Sequence, residues 1–184
     1  MAKGKVIIED ARFSLTLDRL CHQLIERYDD FTNTCIIGIQ PRGVLLSDRL
    51  IDRLRKIISN PKFLYGKLDI TFYRDDFRIR EKPLEASAME MDFLVEGLQV
   101  VLVDDVLYTG RSIHAAMTAL QHHGRPANVE LLALIDRRFN RHLPIAGDYV
   151  GLTVDALDEA YVKVEWKDVS GQDRVILYPE KESN

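Results

Sequence analysis

The chain has 184 residues, 46% of them hydrophobic and 29% charged, with a net charge of −4. That composition fits a globular protein large enough for one self-sufficient core, and no apolar run approaches the ~20 residues of a membrane-spanning helix. The acidic balance argues against a generic nucleic-acid binder while leaving room for a local basic patch.

Two cysteines, Cys21 and Cys35, lack metal-ligand spacing and read as reduced core thiols. Residues 1–5 are followed by no apolar stretch of signal-peptide length, so a cytoplasmic protein is expected. Glu9 and Asp10 open a predicted helix with Leu17, Leu20, Cys21, Leu24 and Tyr28 on one face. Arg19, His22 and Glu26 form a second, solvent-facing stripe. Residues 35–39 read as a short buried strand. It exits into Gln40-Pro41-Arg42-Gly43, and Val44, Leu45, Leu50, Ile51 and Leu54 continue as a second helix. In that loop Arg42 suits a phosphate oxygen and Gly43 permits close backbone approach; the plainer alternative is a tight turn with a solvated Arg. Residues 64–73 alternate in their second half and read as a strand, and the charged, aperiodic run 74–83 reads as a solvated loop.

The most informative stretch is Val100-Val101-Leu102-Val103-Asp104-Asp105-Val106-Leu107-Tyr108-Thr109-Gly110-Arg111-Ser112. Its four apolar residues predict a strand buried on both faces of a parallel sheet. Ile113, Ala116, Met117 and Leu120 then fall at helical spacing. A small-residue turn running into a helix N-terminus is a phosphate cradle, because the first amides of the helix and the positive end of its dipole favour an anion. Asp104 and Asp105 repel phosphate but suit hydroxyl groups and a hard divalent cation. One loop therefore grips a sugar phosphate at both ends; the alternative is an ordinary strand with two turn acids. The helix is predicted to end at His122-His123-Gly124, with the histidines as caps. Residues 129–135 form another buried strand, exiting into Asp136 and Arg137. Strand-like pieces at 143–145 and 148–154 and closing strands at 161–166 and 174–178 complete the chain. The order βαβαβ predicts an α/β fold with a mainly parallel sheet in a single domain, its core at about 9–136 and its closing strands at about 137–178.

The run from Val103 to Ser112 resembles the 5-phosphoribosyl-1-pyrophosphate (PRPP) motif of the type I phosphoribosyltransferases; it lacks the Lys of a Walker loop and the GxGxxG of dinucleotide folds. With residues 69–76, His123-Gly124-Arg125-Pro126, Asp136-Arg137 and residues 143–151, the likeness narrows to the PyrR family, uracil phosphoribosyltransferases that often double as RNA-binding attenuators of pyrimidine operons. The resemblance implies the type I phosphoribosyltransferase fold, with a small hood built from terminal segments. It implies pyrimidine salvage: uracil and PRPP giving UMP and pyrophosphate with Mg²⁺. Asp104 and Asp105 would hold the ribose hydroxyls, directly or through hydrated metal. Thr109, Gly110, Arg111 and Ser112 would hold the 5′-phosphate, with Val106, Leu107 and Tyr108 beside them. Pro41, Arg42 and Gly43 would hold pyrophosphate, and Arg137 would line the base pocket. A loop beginning near Arg74 would close over the reactants, and Arg74, Arg78 and Arg80 would balance the departing charge. Purine transferases usually carry an acid where Tyr108 stands, which favours a pyrimidine.

The family's RNA-contacting face matches Arg19, His22 and Arg27, although Arg19 and His22 are equally compatible with a plain solvated stripe. Several positions depart from the pattern. Gln40-Pro41 replaces the usual Lys of the pyrophosphate loop, Asp18 replaces a neutral hydroxyl residue, and Ala146 and Leu152 replace cations, which predicts weaker binding to an mRNA leader. Relatives are commonly dimers or dimer-built hexamers, so a homodimer or higher homo-oligomer is expected. The alternatives are a UMP-sensing RNA-binding regulator with secondary catalysis, or a purine phosphoribosyltransferase.

Overall fold

Alternating side chains of three central strands feed two apolar clusters on opposite faces of one sheet. In the computed structural model, which describes residues 4–75, 90–156 and 160–179, the strands are β1 (Lys5–Ile8), β2 (Thr34–Ile39), β3 (Leu64–Leu68), β4 (Gln99–Leu107), β5 (Asn128–Arg137), β6 (Tyr149–Val154), β7 (Tyr161–Glu165) and β8 (Arg174–Tyr178). The helices are α1 (Asp10–Tyr28), α2 (Arg42–Ile57), α3 (Arg111–Leu120) and the one-turn α4 (Lys167–Ser170). Ile36, Val101, Val103, Leu132 and Leu134 point to the cluster under α1 and α2. Cys35, Ile37, Val100, Leu102, Leu131 and Ala133 point to the cluster under α3 and Val95. Strands covered on both faces need no polar alternation, which is why these segments read as continuous apolar runs.

The sheet is parallel throughout, in the order β3-β2-β4-β5-β6. This is an α/β architecture with the βαβαβ order expected from the sequence. β2 and β4 diverge to opposite sides, so their carboxyl ends border a topological switch point. A second, antiparallel sheet, β1-β8-β7, joins the two ends of the chain. Its Val162, Val164, Val175 and Trp166 merge with the α1–α2 cluster, where Trp166 meets Phe13 edge-on at 5.4 Å. Among the described residues, no helix is long and apolar enough to cross a membrane.

Four local expectations need correction. The strand predicted over 64–73 ends at Leu68: Asp69 accepts hydrogen bonds from Thr71 N (2.8 Å) and Thr71 Oγ1 (2.6 Å), and this turn leads into a 3-10 segment, Thr71–Tyr73. Met117 is 46% exposed, because the inner face of α3 is taken instead by Ile113, Ala115, Ala116 and Ala119. His122 and His123 stand in a 3-10 turn after α3, where the His122 ring lies 5.6 Å from that of Tyr73. The strand-like piece predicted at 143–145 forms no strand, and the one at 148–154 is β6, the edge of the main sheet beside β5.

Candidate active site

β4 outruns its neighbour. Its pairing with β2 stops at Gly38–Val103, while its pairing with β5 continues to Leu107–Asp136. Asp104 and Asp105 therefore stand where the sheet opens, and both line a crevice of about 630 Å³ although their residues are only 8% and 5% exposed. Pro41, Arg42, Arg74, Val106, Tyr108, Ser112 and Arg137 line the same crevice, with Tyr161 and Val162 of β7 on its opposite wall. A second chamber of about 530 Å³ adjoins it, lined by Leu107, Thr109, Gly110 and Arg111. Asp104, Arg74, Val106, Tyr108 and Ser112 border both chambers. The arrangement gives an acidic divide with a cation-edged slot on one side and a helix N-terminus on the other.

The helix end is shaped by Gly110, whose φ of +89° lets the turn enter α3 without Cβ strain. The first amides of α3 have no carbonyl partner within the helix; that of Arg111 donates to Thr109 Oγ1 at 3.4 Å, and the turn that carries them lines the second chamber, the setting of an anion site. Arg74 donates to Ser112 Oγ at 3.1 Å, and Arg111 pairs with Asp75. Behind the turn, the amides of His142 (3.0 Å) and Leu143 (3.2 Å) donate to Thr109 O, and Arg141 bridges Tyr108 O and Asp136.

On the other side Arg42 Nε lies 3.0 Å from Asp105 Oδ2. Burial pushes the Asp104 carboxyl up to about 8, and the neighbouring Asp105 charge adds to that. Burial likewise raises Asp105, against the pull of Arg42. Two desolvated carboxyls at one tip favour any ligand that brings a cation or hydroxyl donors. Among the described residues no group of three or more His, Cys, Asp or Glu side chains is placed to hold a metal ion. A magnesium ion fits here only as an ion carried on substrate oxygens and waters, with one or two carboxylates completing its shell, which suits its preference for octahedral oxygen coordination.

Gly43 lines neither chamber. A Cβ on it would lie 2.3 Å from Val103 O and 3.1 Å from Asp104 Cα, so this glycine is needed where α2 crosses β4. Arg78 and Arg80 lie outside the described residues. Sequence reasoning missed Tyr161 and Val162, whose β7 reaches the crevice through pairing with β8; nothing in their local sequence marks them. Arg137 is buried and its guanidinium stacks 3.9 Å from the Tyr108 ring centroid, forming the floor between the phosphate turn and β5.

Arg19, His22 and Arg27 are exposed on α1 and line neither chamber. Arg19 donates to Val150 O (3.0 Å) and Gly151 O (2.6 Å), and Arg27 pairs with Glu130 at 3.1 Å. Asp18 is paired with Arg53 at 3.0 Å.

Comparison with known proteins agrees with this geometry. Residues 7–168 match the phosphoribosyl transferase domain. A bifunctional protein PyrR of Elusimicrobium minutum (strain Pei191) is 37% identical over 174 residues, 94% of this chain and 96% of that protein. Another, of Bacillus mycoides (strain KBAB4), is 38% identical over 180 residues, 97% of this chain and 99% of that protein. Among solved structures, the hypoxanthine phosphoribosyltransferase of Trypanosoma cruzi in complex with the product IMP superposes with a TM-score of 0.73 at 15% identity, covering 100% of this chain and 97% of that one. That of Staphylococcus aureus gives 0.69 at 18% identity, covering 97% and 93%. These last two speak for the fold alone. Sequence identity sustained over nearly the whole length, on a fold whose strand order opens at the paired aspartates, places the chain in the phosphoribosyltransferase family and, within it, in the PyrR family.

Proposed function

We propose that this protein is a uracil phosphoribosyltransferase, converting uracil and PRPP to UMP and pyrophosphate. The observation that carries the reading is the acidic divide: Asp104 and Asp105 stand between the α3 N-terminus and Arg42, the spacing of functions that a 5-phosphorylated, 1-pyrophosphorylated pentose presents. Thr109, Gly110, Arg111 and Ser112 take the 5′-phosphate and Asp104 with Asp105 the ribose hydroxyls. Pro41 and Arg42 edge the slot that takes pyrophosphate, with Arg74 at the border of the two chambers adding positive charge, while Gly43 serves by letting α2 pack on β4. When bound with PRPP, Mg²⁺ neutralises the charge that builds on the leaving pyrophosphate. The C1′–O bond breaks as the C1′–N1 bond forms, pyrophosphate departs with the bonding pair, and the N1 proton passes late to solvent, so no strong base is required. Arg137, held on Tyr108, offers donors to the carbonyl oxygens of a pyrimidine-dione, and no carboxylate stands at position 108 to meet a purine.

The test is turnover with PRPP and Mg²⁺ across uracil, hypoxanthine, guanine and xanthine. Uracil alone should yield its mononucleotide with stoichiometric pyrophosphate; turnover of a purine without uracil refutes the assignment. Kinship with the bifunctional PyrR proteins favours a second role, a UMP-responsive hold on an mRNA leader through His22, Arg19 and Arg27. Arg19 and Arg27 already serve protein acceptors, so this hold is weak, with the shallow salt dependence of few phosphate contacts. A homodimer or larger homo-oligomer is part of the proposal, read directly by light scattering.

A further inference from the structure

The wall opposite the phosphate turn belongs to the antiparallel sheet, which packs on the α1–α2 cluster and is tied by polar contacts to helix α2. Arg42 and Arg49 stand at i and i+7 on α2, two turns apart on one face. Both reach the antiparallel sheet and its neighbour α4. Arg42 donates to Val164 O at 3.4 Å and bonds the Tyr161 hydroxyl. Arg49 reaches farther along: NH1 donates to Asp173 Oδ1 at 2.6 Å, NH2 to Asp168 Oδ2 at 2.9 Å, and its guanidinium lies 5.1 Å from the Trp166 ring centroid. Asp173 also accepts from Lys167 N at 2.7 Å, so one carboxylate ties the turn before β8 to both α4 and α2. The Arg49 and Asp173 side chains are only 17% and 15% exposed, which makes this pair stronger than a solvated one.

The two tethers differ in what ligand does to them. Arg42 also faces Asp105, in the slot where a pyrophosphate belongs, so a bound anion competes with Val164 and Tyr161 for its guanidinium. Arg49 lines neither chamber, so a ligand there does not compete for its guanidinium. We propose that Arg49 is a positioning residue: through Asp173 and Asp168 it keeps the β1-β8-β7 sheet seated over the crevice, and so sets affinity for the base while contacting neither substrate. This rests on the transferase reading above. A sheet seated only part of the time raises the apparent KM for the ligand under it by the reciprocal of the seated fraction and leaves kcat unchanged. PRPP, gripped by the α3 turn, the paired aspartates and Arg42, is bound from the other side.

The experiment uses the full chain with Arg49→Met and Asp173→Asn, in two-substrate kinetics. The KM for uracil should rise about tenfold in both, with kcat and the KM for PRPP within about twofold of wild type. Arg49→Lys, which keeps the charge, should recover part of the loss. Trp166, the only tryptophan of the chain, supplies a readout independent of turnover. It is 3% exposed, and acrylamide should quench it more strongly in both variants without ligand. Should Arg49→Met fail to fold, Asp173→Asn and Asp168→Asn carry the same comparison. A uracil KM that stays at the wild-type value, or rises in step with that for PRPP, overturns the proposal, as does unchanged quenching. A wild-type protein inert with every base defeats the transferase reading instead, and the quenching comparison still decides whether Arg49 seats the sheet.

Discussion

Gly43→Ala tests whether the placement of Arg42 depends on how closely α2 approaches β4. The added methyl would lie 2.3 Å from Val103 O, about 1 Å inside an ordinary carbon–oxygen contact, and the obstacle is backbone in the middle of a buried strand. A flexible side chain is not available to yield, so the first turn of α2 must lift. Overpacking of this kind costs about 1–3 kcal/mol, which for a chain of this length corresponds to a fall in Tm of roughly 2–12 °C. The kinetic consequence is larger. Arg42 follows Gly43 in that displacement and leaves its 3.0 Å contact with Asp105, and a displacement of about 1 Å at a reacting centre typically costs 10²-fold. Calorimetry together with kcat/KM for PRPP therefore distinguishes the two scales: a modest loss of stability with roughly 100-fold loss of turnover. A Gly43→Ala protein with wild-type melting and wild-type kcat/KM would show that α2 and β4 do not constrain each other as described.

Asp105→Asn and Arg42→Ala should each reduce kcat/KM with PRPP by about 10²–10³-fold, since each removes a charged group aimed at the reacting pentose, and near-normal rates in both would remove them from the site. Arg74→Met should raise the KM for PRPP by roughly 10–100-fold through loss of a charged donor beside Ser112, measured by pyrophosphate release. The Asp104 carboxyl, raised to about 8 from an unfolded value of about 3.9, makes the ligand-free fold lose stability as pH climbs between those values, because the folded state holds the proton that the unfolded chain has released. Tm without ligand should accordingly fall from pH 5 to pH 8, and Asp104→Asn should flatten the curve; superimposable curves for wild type and variant would contradict the assignment.

What the sequence disclosed and what it hid divide along a physical line. The β4 strand, the paired aspartates and the turn into α3 are consecutive residues, so their chemistry and geometry are both local, and the phosphate cradle is legible before any fold is known. β2 and β5 are legible for the same reason, since a strand covered on both faces leaves an unbroken apolar run. Alternation misled at Ile70 and Phe72, which a strand would place on one face but which are 3% and 69% exposed, because the Asp69 side chain has already turned the chain into a 3-10 segment. Gly43 carries a cue with two meanings, close approach to a ligand or to the protein's own backbone, and only the position of Val103 O separates them. The cations of α1 show the limit most clearly. Spacing puts Arg19 and His22 on one stripe and the family resemblance adds Arg27, but the acceptors that engage the two arginines, the β6 carbonyls and Glu130, come from more than a hundred residues away. A guanidinium that already satisfies protein acceptors must give them up to reach a phosphate, so the same three residues count for less as an RNA face than their pattern implies. Whether a charged stripe is a binding surface is thus decided by partners the stripe itself does not encode.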